Sequence, residues 1–135
     1  MLIYADGSAL SRSLTGDAES ASWLRWATEH ADQIVTSPLA LTEVRRVADP
    51  LGPVAREKAR ALARSVTVIR FSDQSLRTAT VAASVLPPFA AIHLGIALTR
   101  VEIGAIATYD KLLAQVAALH QLAVVAPGRP RNWWL

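Results

Sequence analysis

The chain has 135 residues, 52% of them hydrophobic, and a mean hydropathy of +0.28, enough for one well-buried domain richer in apolar residues than an average soluble one. That balance suits a sheet covered on both faces, while the longest apolar stretch, Phe89 to Thr99, is interrupted by His93 and falls short of the roughly 20 residues of a membrane span. A net charge of +3 and a pI near 10.0 favour anionic partners, nucleic acid among them, and the lack of cysteine and of a basic leader segment points to a reducing cytoplasm.

Strand and helix signals alternate along the chain. The run Leu2, Ile3, Tyr4, Ala5 before Asp6, Gly7 and Ser8 reads as a buried first strand that delivers an acid to its carboxyl end, the edge at which open α/β sheets bind ligands. Ser8 to Leu14 reads as a short helix, and Asp17 caps a second that reaches about His30. Gln33 to Thr36 is the second strand. Ser37 and Pro38 open a helix to about Ala48, which Asp49 to Gly52 end before a further helix from Pro53 to Arg64. The β-branched run Val66 to Phe71 is the third strand, and Ser72 caps a helix reaching about Ala83. Pro87 and Pro88 form a rigid joint before an apolar helix, Phe89 to Thr99. Gly104 to Thr108 is the fourth strand, leading into Tyr109 and Asp110, then a helix from Lys111 to Leu119, a last strand from Ala123 to Ala126 and an irregular tail. Strands joined by helical crossovers imply an α/β fold with a mostly parallel sheet, one domain over 1–126 and a tail over 127–135.

Two strand-end acids, Asp6 and Asp110, suggest a metal site. Glu43 joins them as an acid in a helix with largely apolar neighbours, since a carboxylate amid buried surface needs a partner. Each has an ordinary alternative: a turn or helix cap for Asp6 and Asp110, and a solvent-facing position or an ion pair with Arg45 or Arg46 for Glu43. Arg56, Arg60 and Arg64 recur every four residues on one helical face, which by itself fits a solvated surface.

Four segments carry a resemblance: Tyr4-Ala5-Asp6-Gly7-Ser8-Ala9-Leu10, Thr36 to Val44 around Glu43, Ala91-Ile92-His93-Leu94-Gly95-Ile96-Ala97-Leu98, and Thr108-Tyr109-Asp110-Lys111-Leu112-Leu113. In this order and spacing the chain resembles the PIN-domain ribonucleases, and among them the VapC toxins of toxin-antitoxin pairs. The resemblance implies a three-layer α/β/α fold with an about five-stranded sheet, an acid cluster binding Mg²⁺ or Mn²⁺, endonucleolytic hydrolysis of RNA phosphodiesters, a homodimer and neutralisation by a cognate antitoxin. It assigns Asp6, Glu43 and Asp110 as catalytic metal ligands. The fourth family acid, an aspartate immediately before Ala-Ile-His-Leu, is Ala90 here, so the activity of this chain is expected to be reduced or lost. A naturally degenerate member and replacement of the aspartate to silence a toxic enzyme both account for it; the intact remaining motifs favour replacement.

Oxygen ligands suit a hard cation that keeps several waters, and clustered carboxylates repel until a metal neutralises them. Ser8 and Thr108, close in sequence to Asp6 and Asp110, are candidates to orient the acids or a metal water, with a helix cap and strand packing as ordinary alternatives. His93, among apolar neighbours, reads as a hydrogen-bonded core or dimer histidine. Trp23 and Trp26 read as packing residues, and Trp133 and Trp134 as a packing latch or mobile tail before RNA-stacking residues. Two other functions fit less of this pattern. A non-catalytic PIN-fold module would hold antitoxin or RNA without cutting it. A phosphoryl-transfer domain would require paired acids after strand one, and Ser8 stands where the second should be.

Overall fold

In the computed structural model, which describes residues 1–135, the apolar run Leu2–Ala5 forms β1 at the centre of a five-stranded sheet. The other strands are β2 (Ile34–Thr36), β3 (Thr67–Val68), β4 (Ile103–Ala107) and β5 (Ala123–Val125), all parallel, in the order β3-β2-β1-β4-β5. Alternation along β1 feeds two cores. Ile3 and Ala5 pack with Trp23, Ala40 and Val44 on one face, and Tyr4 joins Leu94, Ile106 and Leu113 on the other. Helices α1 (Gly7–Leu10), α3 (Ala18–Glu29) and α4 (Pro38–Ala48) supply the first core. Helices α6 (Asp73–Ala82), α7 (Pro88–Leu98) and α8 (Lys111–Leu119) supply the second, which completes the three-layer α/β/α arrangement. The short α2 (Arg12–Thr15) precedes α3, and α5 (Pro53–Ser65) packs against α4 after a single 3₁₀ turn.

Helix α7 is apolar along most of its length because most of it is buried: Ala90, Ala91 and every residue from His93 to Ala97 are inside. Gly95 allows this. A Cβ there would run into the Ser75 carbonyl oxygen and lie 3.1 Å from the Ala79 backbone nitrogen, so α6 and α7 approach only with glycine at the crossing. That approach fixes the depth of Ala90 and His93.

The structure corrects several boundaries. The third strand shrinks from the expected Val66–Phe71 to two exposed residues, because its partner β2 ends at Thr36 and turns into α4, leaving Ile69 as the last residue to donate to it. The first helix begins at Gly7, is capped by Asp6 and not by Ser8, and breaks at Ser11 into α1 and α2. β4 closes at Ala107, so Thr108 lies beyond the strand. The tail is docked: Gln115 donates to the Trp134 carbonyl (2.7 Å), and Arg129 bonds Glu19 (2.6 Å) while its guanidinium lies 4.5 Å from the Trp133 ring centroid. Trp23 is buried with its ring 5.4 Å from that of Trp26, as expected of packing residues.

Candidate functional site

Asp6 stands where β1 ends, and its local role is to cap α1: Oδ1 accepts from the Ala9 backbone amide at 2.9 Å and from the Ser8 hydroxyl at 2.7 Å. Oδ2 accepts from the Thr108 hydroxyl at 2.6 Å, a contact that ties the end of β1 to the loop after its neighbour β4. The residue is 3% exposed, and burial pushes its carboxyl above the usual range; the opposing pulls are the neighbouring His93 and these three donors. The donors are themselves anchored, since Thr108 Oγ1 accepts from the Asp110 amide (3.1 Å) and Ser8 Oγ from the Tyr109 amide (2.9 Å). Ser8 and Thr108 thus hold Asp6 and the Asp110 loop to each other.

Asp110 is tied in by its backbone more than by its carboxylate. The side chain is exposed, and Oδ1 caps α8 by accepting from the Leu113 amide at 3.1 Å. The ordinary alternative for this residue is therefore present in the fold.

Glu43 pairs with neither Arg45 nor Arg46. From the middle of α4 it crosses Gly7, where even a Cβ would collide with its side chain, and Oε1 meets His93 Nε2 at 2.5 Å. The other ring nitrogen, Nδ1, lies 2.7 Å from the Tyr4 hydroxyl, which is also 2.7 Å from Ser37 Oγ. Ser37, Tyr4 and His93 are almost fully buried, so this is an internal polar chain ending on a partly exposed carboxylate. With Glu43 ionised, Nε2 donates to it. A neutral imidazole then accepts from Tyr4 at Nδ1 while Ser37 donates to the phenol oxygen, and a charged one reverses both of those bonds. Burial pushes the Tyr4 hydroxyl far up, with Asp6 and Glu43 adding to the rise, and so the phenol keeps its proton.

Ala90 occupies the first turn of α7, three residues before His93 and on the same side of the helix; it is buried and brings no oxygen. The structure thus brings Asp6 and Glu43 together through Gly7 and His93, joins Asp110 through Ser8 and Thr108, and leaves an apolar side chain at position 90. No group of three or more His, Asp or Glu side chains lies close enough to hold a metal ion. The donors present, Asp6, Glu43 and the second carboxylate oxygen of Asp110, are hard oxygens of the kind Mg²⁺ takes, and one or two carboxylates suffice when substrate phosphate completes the shell. They fit a weakly held ion and not a preformed cage. Sequence reasoning placed His93 in a hydrogen-bonded core, where it is, but missed that its partner is Glu43 and that Tyr4 and Ser37 stand behind it. The available signal was a histidine and a tyrosine in otherwise apolar buried segments, each needing a polar partner.

A parallel sheet with carboxylates at its carboxyl edge defines an α/β domain built to receive a ligand there. Residues 3–126 match the family model described as PIN domain, so the chain belongs to the PIN-domain family, whose members are typically nucleases dependent on a divalent metal. No curated protein matches the chain. No helix is long and apolar enough to cross a membrane.

Proposed function

We propose that this chain is a VapC-like toxin, an endoribonuclease that hydrolyses RNA phosphodiesters with Mg²⁺ or Mn²⁺, works as a cytoplasmic homodimer and is neutralised by a cognate antitoxin. The observation that carries the reading is the pairing of a buried Asp6, held by three donors with one Oδ2 lone pair left open, with a His93-braced Glu43 across Gly7, within a PIN fold.

Asp6, Glu43 and Asp110 are the metal ligands in this reading. When bound, the ion supplies an activated water and offsets charge on the scissile phosphate. Ser8 and Thr108 keep both oxygens of Asp6 turned in fixed directions, and His93 holds one oxygen of Glu43 so that the other remains available. Ala90 leaves the set one acid short, and the chain is catalytically impaired for that reason. Support for a dimer comes from Leu76, Val81, Val85 and Phe89, exposed apolar residues on or between α6 and α7. An antitoxin arginine fits the acid site because its fork matches a carboxylate.

The test is Ala90→Asp. The repaired chain is expected to bind Mg²⁺ more tightly by calorimetry and to cut a structured RNA when Mg²⁺ or Mn²⁺ is supplied, while the parent chain cuts slowly or not at all. A repaired chain that binds RNA or antitoxin yet cleaves nothing across metals and RNAs would establish the alternative, a non-catalytic PIN-fold binding module.

A further inference from the structure

A cavity of about 410 Å³ opens between α4 and α5, with Asp6, Glu43 and Asp110 outside its lining. The single 3₁₀ turn between these helices makes α5 run back along α4, and the two walls bring Arg45, Arg56, Arg60 and Arg64 around one groove with Asp49 as its only acid. Arg45 has no acidic partner. The Arg56 guanidinium donates to the Asp49 carbonyl at 3.0 Å, and Glu57, outside the groove, holds Arg60 at 3.1 Å and Arg64 at 3.3 Å. The floor is small: apart from Leu41 and Pro38 the apolar lining is alanine.

Three properties decide what this groove fits. Its charge calls for an anion. Its arginines on α5 repeat every four residues, about 6 Å at 1.5 Å per residue, a regular row of planar forks suited to successive phosphates. It offers no aromatic side chain, and Leu41 is its one large apolar residue, so its arginines have no apolar pocket beside them of the kind that anchors a protein partner. The groove also borders the face of α4 that carries Glu43. Thr42 lines it, Glu43 lies about 100° further round the same helix, and exposed Arg46 stands on the ridge between them.

We propose that the α4–α5 groove is a phosphate track that holds a single-stranded stretch of RNA running toward Asp6 and Glu43. The proposal rests on the nuclease reading for its direction but has its own measurement. Glu57 acts as a brake on the track, because it occupies two of the four guanidinium groups.

The probe is a fluorescently labelled oligouridylate, titrated with the unmodified chain in a metal chelator, by anisotropy over a range of salt concentrations. The combined exposed-site variant Arg45→Gln, Arg60→Gln, Arg64→Gln is expected to bind more weakly and to flatten the plot of log affinity against log salt by about 0.7 for each phosphate no longer neutralised, up to about 2 in all. Glu57→Gln should bind more tightly than the parent. Circular dichroism confirms that each variant is folded. Unchanged slope in the triple variant overturns the proposal, as does polyglutamate of matched charge binding this groove more tightly than the RNA with the same arginine dependence. The two readings fail separately. If the Ala90→Asp chain cleaves RNA equally well with and without the three arginines, the track falls and the nuclease stands; if it cleaves nothing but RNA binding still needs the arginines, the nuclease falls and the track stands.

Discussion

The candidate site has two unlike halves. On one side Asp6 and Glu43 are built into the protein: Asp6 takes three hydrogen bonds in a nearly closed space, and Glu43 ends a chain of buried polar groups. On the other, Asp110 is exposed with a single backbone bond to its carboxylate, and Ala90 offers a methyl group. The first half is held by the fold whether or not a ligand arrives. The side chains of the second are held only by the cap on Asp110 and by the packing of Ala90 in the core.

The contrast between the halves is tested hardest at Asp6. In the Ala90→Asp background, Asp6→Asn is expected to lower cleavage by at least about 10²-fold, the scale of losing one preorganised charge in a water-poor site, read from initial rates. The same change should stabilise the fold at neutral pH. Burial raises the Asp6 carboxyl in the folded state, so the folded chain holds that proton more tightly than the unfolded one. The unfavourable contribution is absent below the ordinary carboxylate value, grows as pH rises from there to the raised value, and is complete above it. Thermal melts in chelator should therefore show Asp6→Asn above the parent at pH 7, with the gap closing in acid. A gap that widens in acid would show that the hydrogen bonds to Asp6 outweigh its burial.

Tyr4→Phe tests the buried chain behind Glu43. It removes the one hydroxyl shared by Ser37 and His93, and leaving buried polar atoms without a partner costs about 1–3 kcal/mol in denaturant unfolding. In the repaired background it should also slow cleavage without touching Asp6. His93→Gln, which keeps a donor for Glu43, should cleave faster than His93→Leu.

Asp110 provides the smallest and cleanest contrast. Asp110→Ala should lose about 1 kcal/mol of stability as a helix cap is removed, while Asp110→Asn keeps the cap and is nearly neutral in the same melts. If Asp110 is also a metal ligand, both variants lower cleavage by the repaired chain. Equal activity of Asp110→Asn and its parent would reduce Asp110 to its cap.

The sheet and its layers were legible because β1, β4 and the caps at Asp17, Ser37 and Ser72 obey local rules of pattern and capping. The third strand was overread because β-branched propensity says nothing about how long a neighbour lasts. The acids could be nominated from strand ends and motif order. Their connections could not: Thr108 to Asp6 spans 102 residues and Glu43 to His93 spans 50, and no local pattern encodes such a pairing. His93 is the instructive case. Its apolar neighbours correctly placed it indoors and concealed that it stands at the site's wall.

Tyr4 gives this wiring a temporal meaning. Its ring belongs to the core and its hydroxyl to the polar chain, so the setting of Glu43 draws on the first strand, the start of α4 and the middle of α7. A polypeptide emerging from the ribosome carries Asp6 and Glu43 long before His93 exists, and until α7 docks through Gly95 the glutamate lies against Gly7 without its hydrogen-bond partner. The braces of the two acids, Thr108 for Asp6 and His93 for Glu43, are thus made well after the acids themselves.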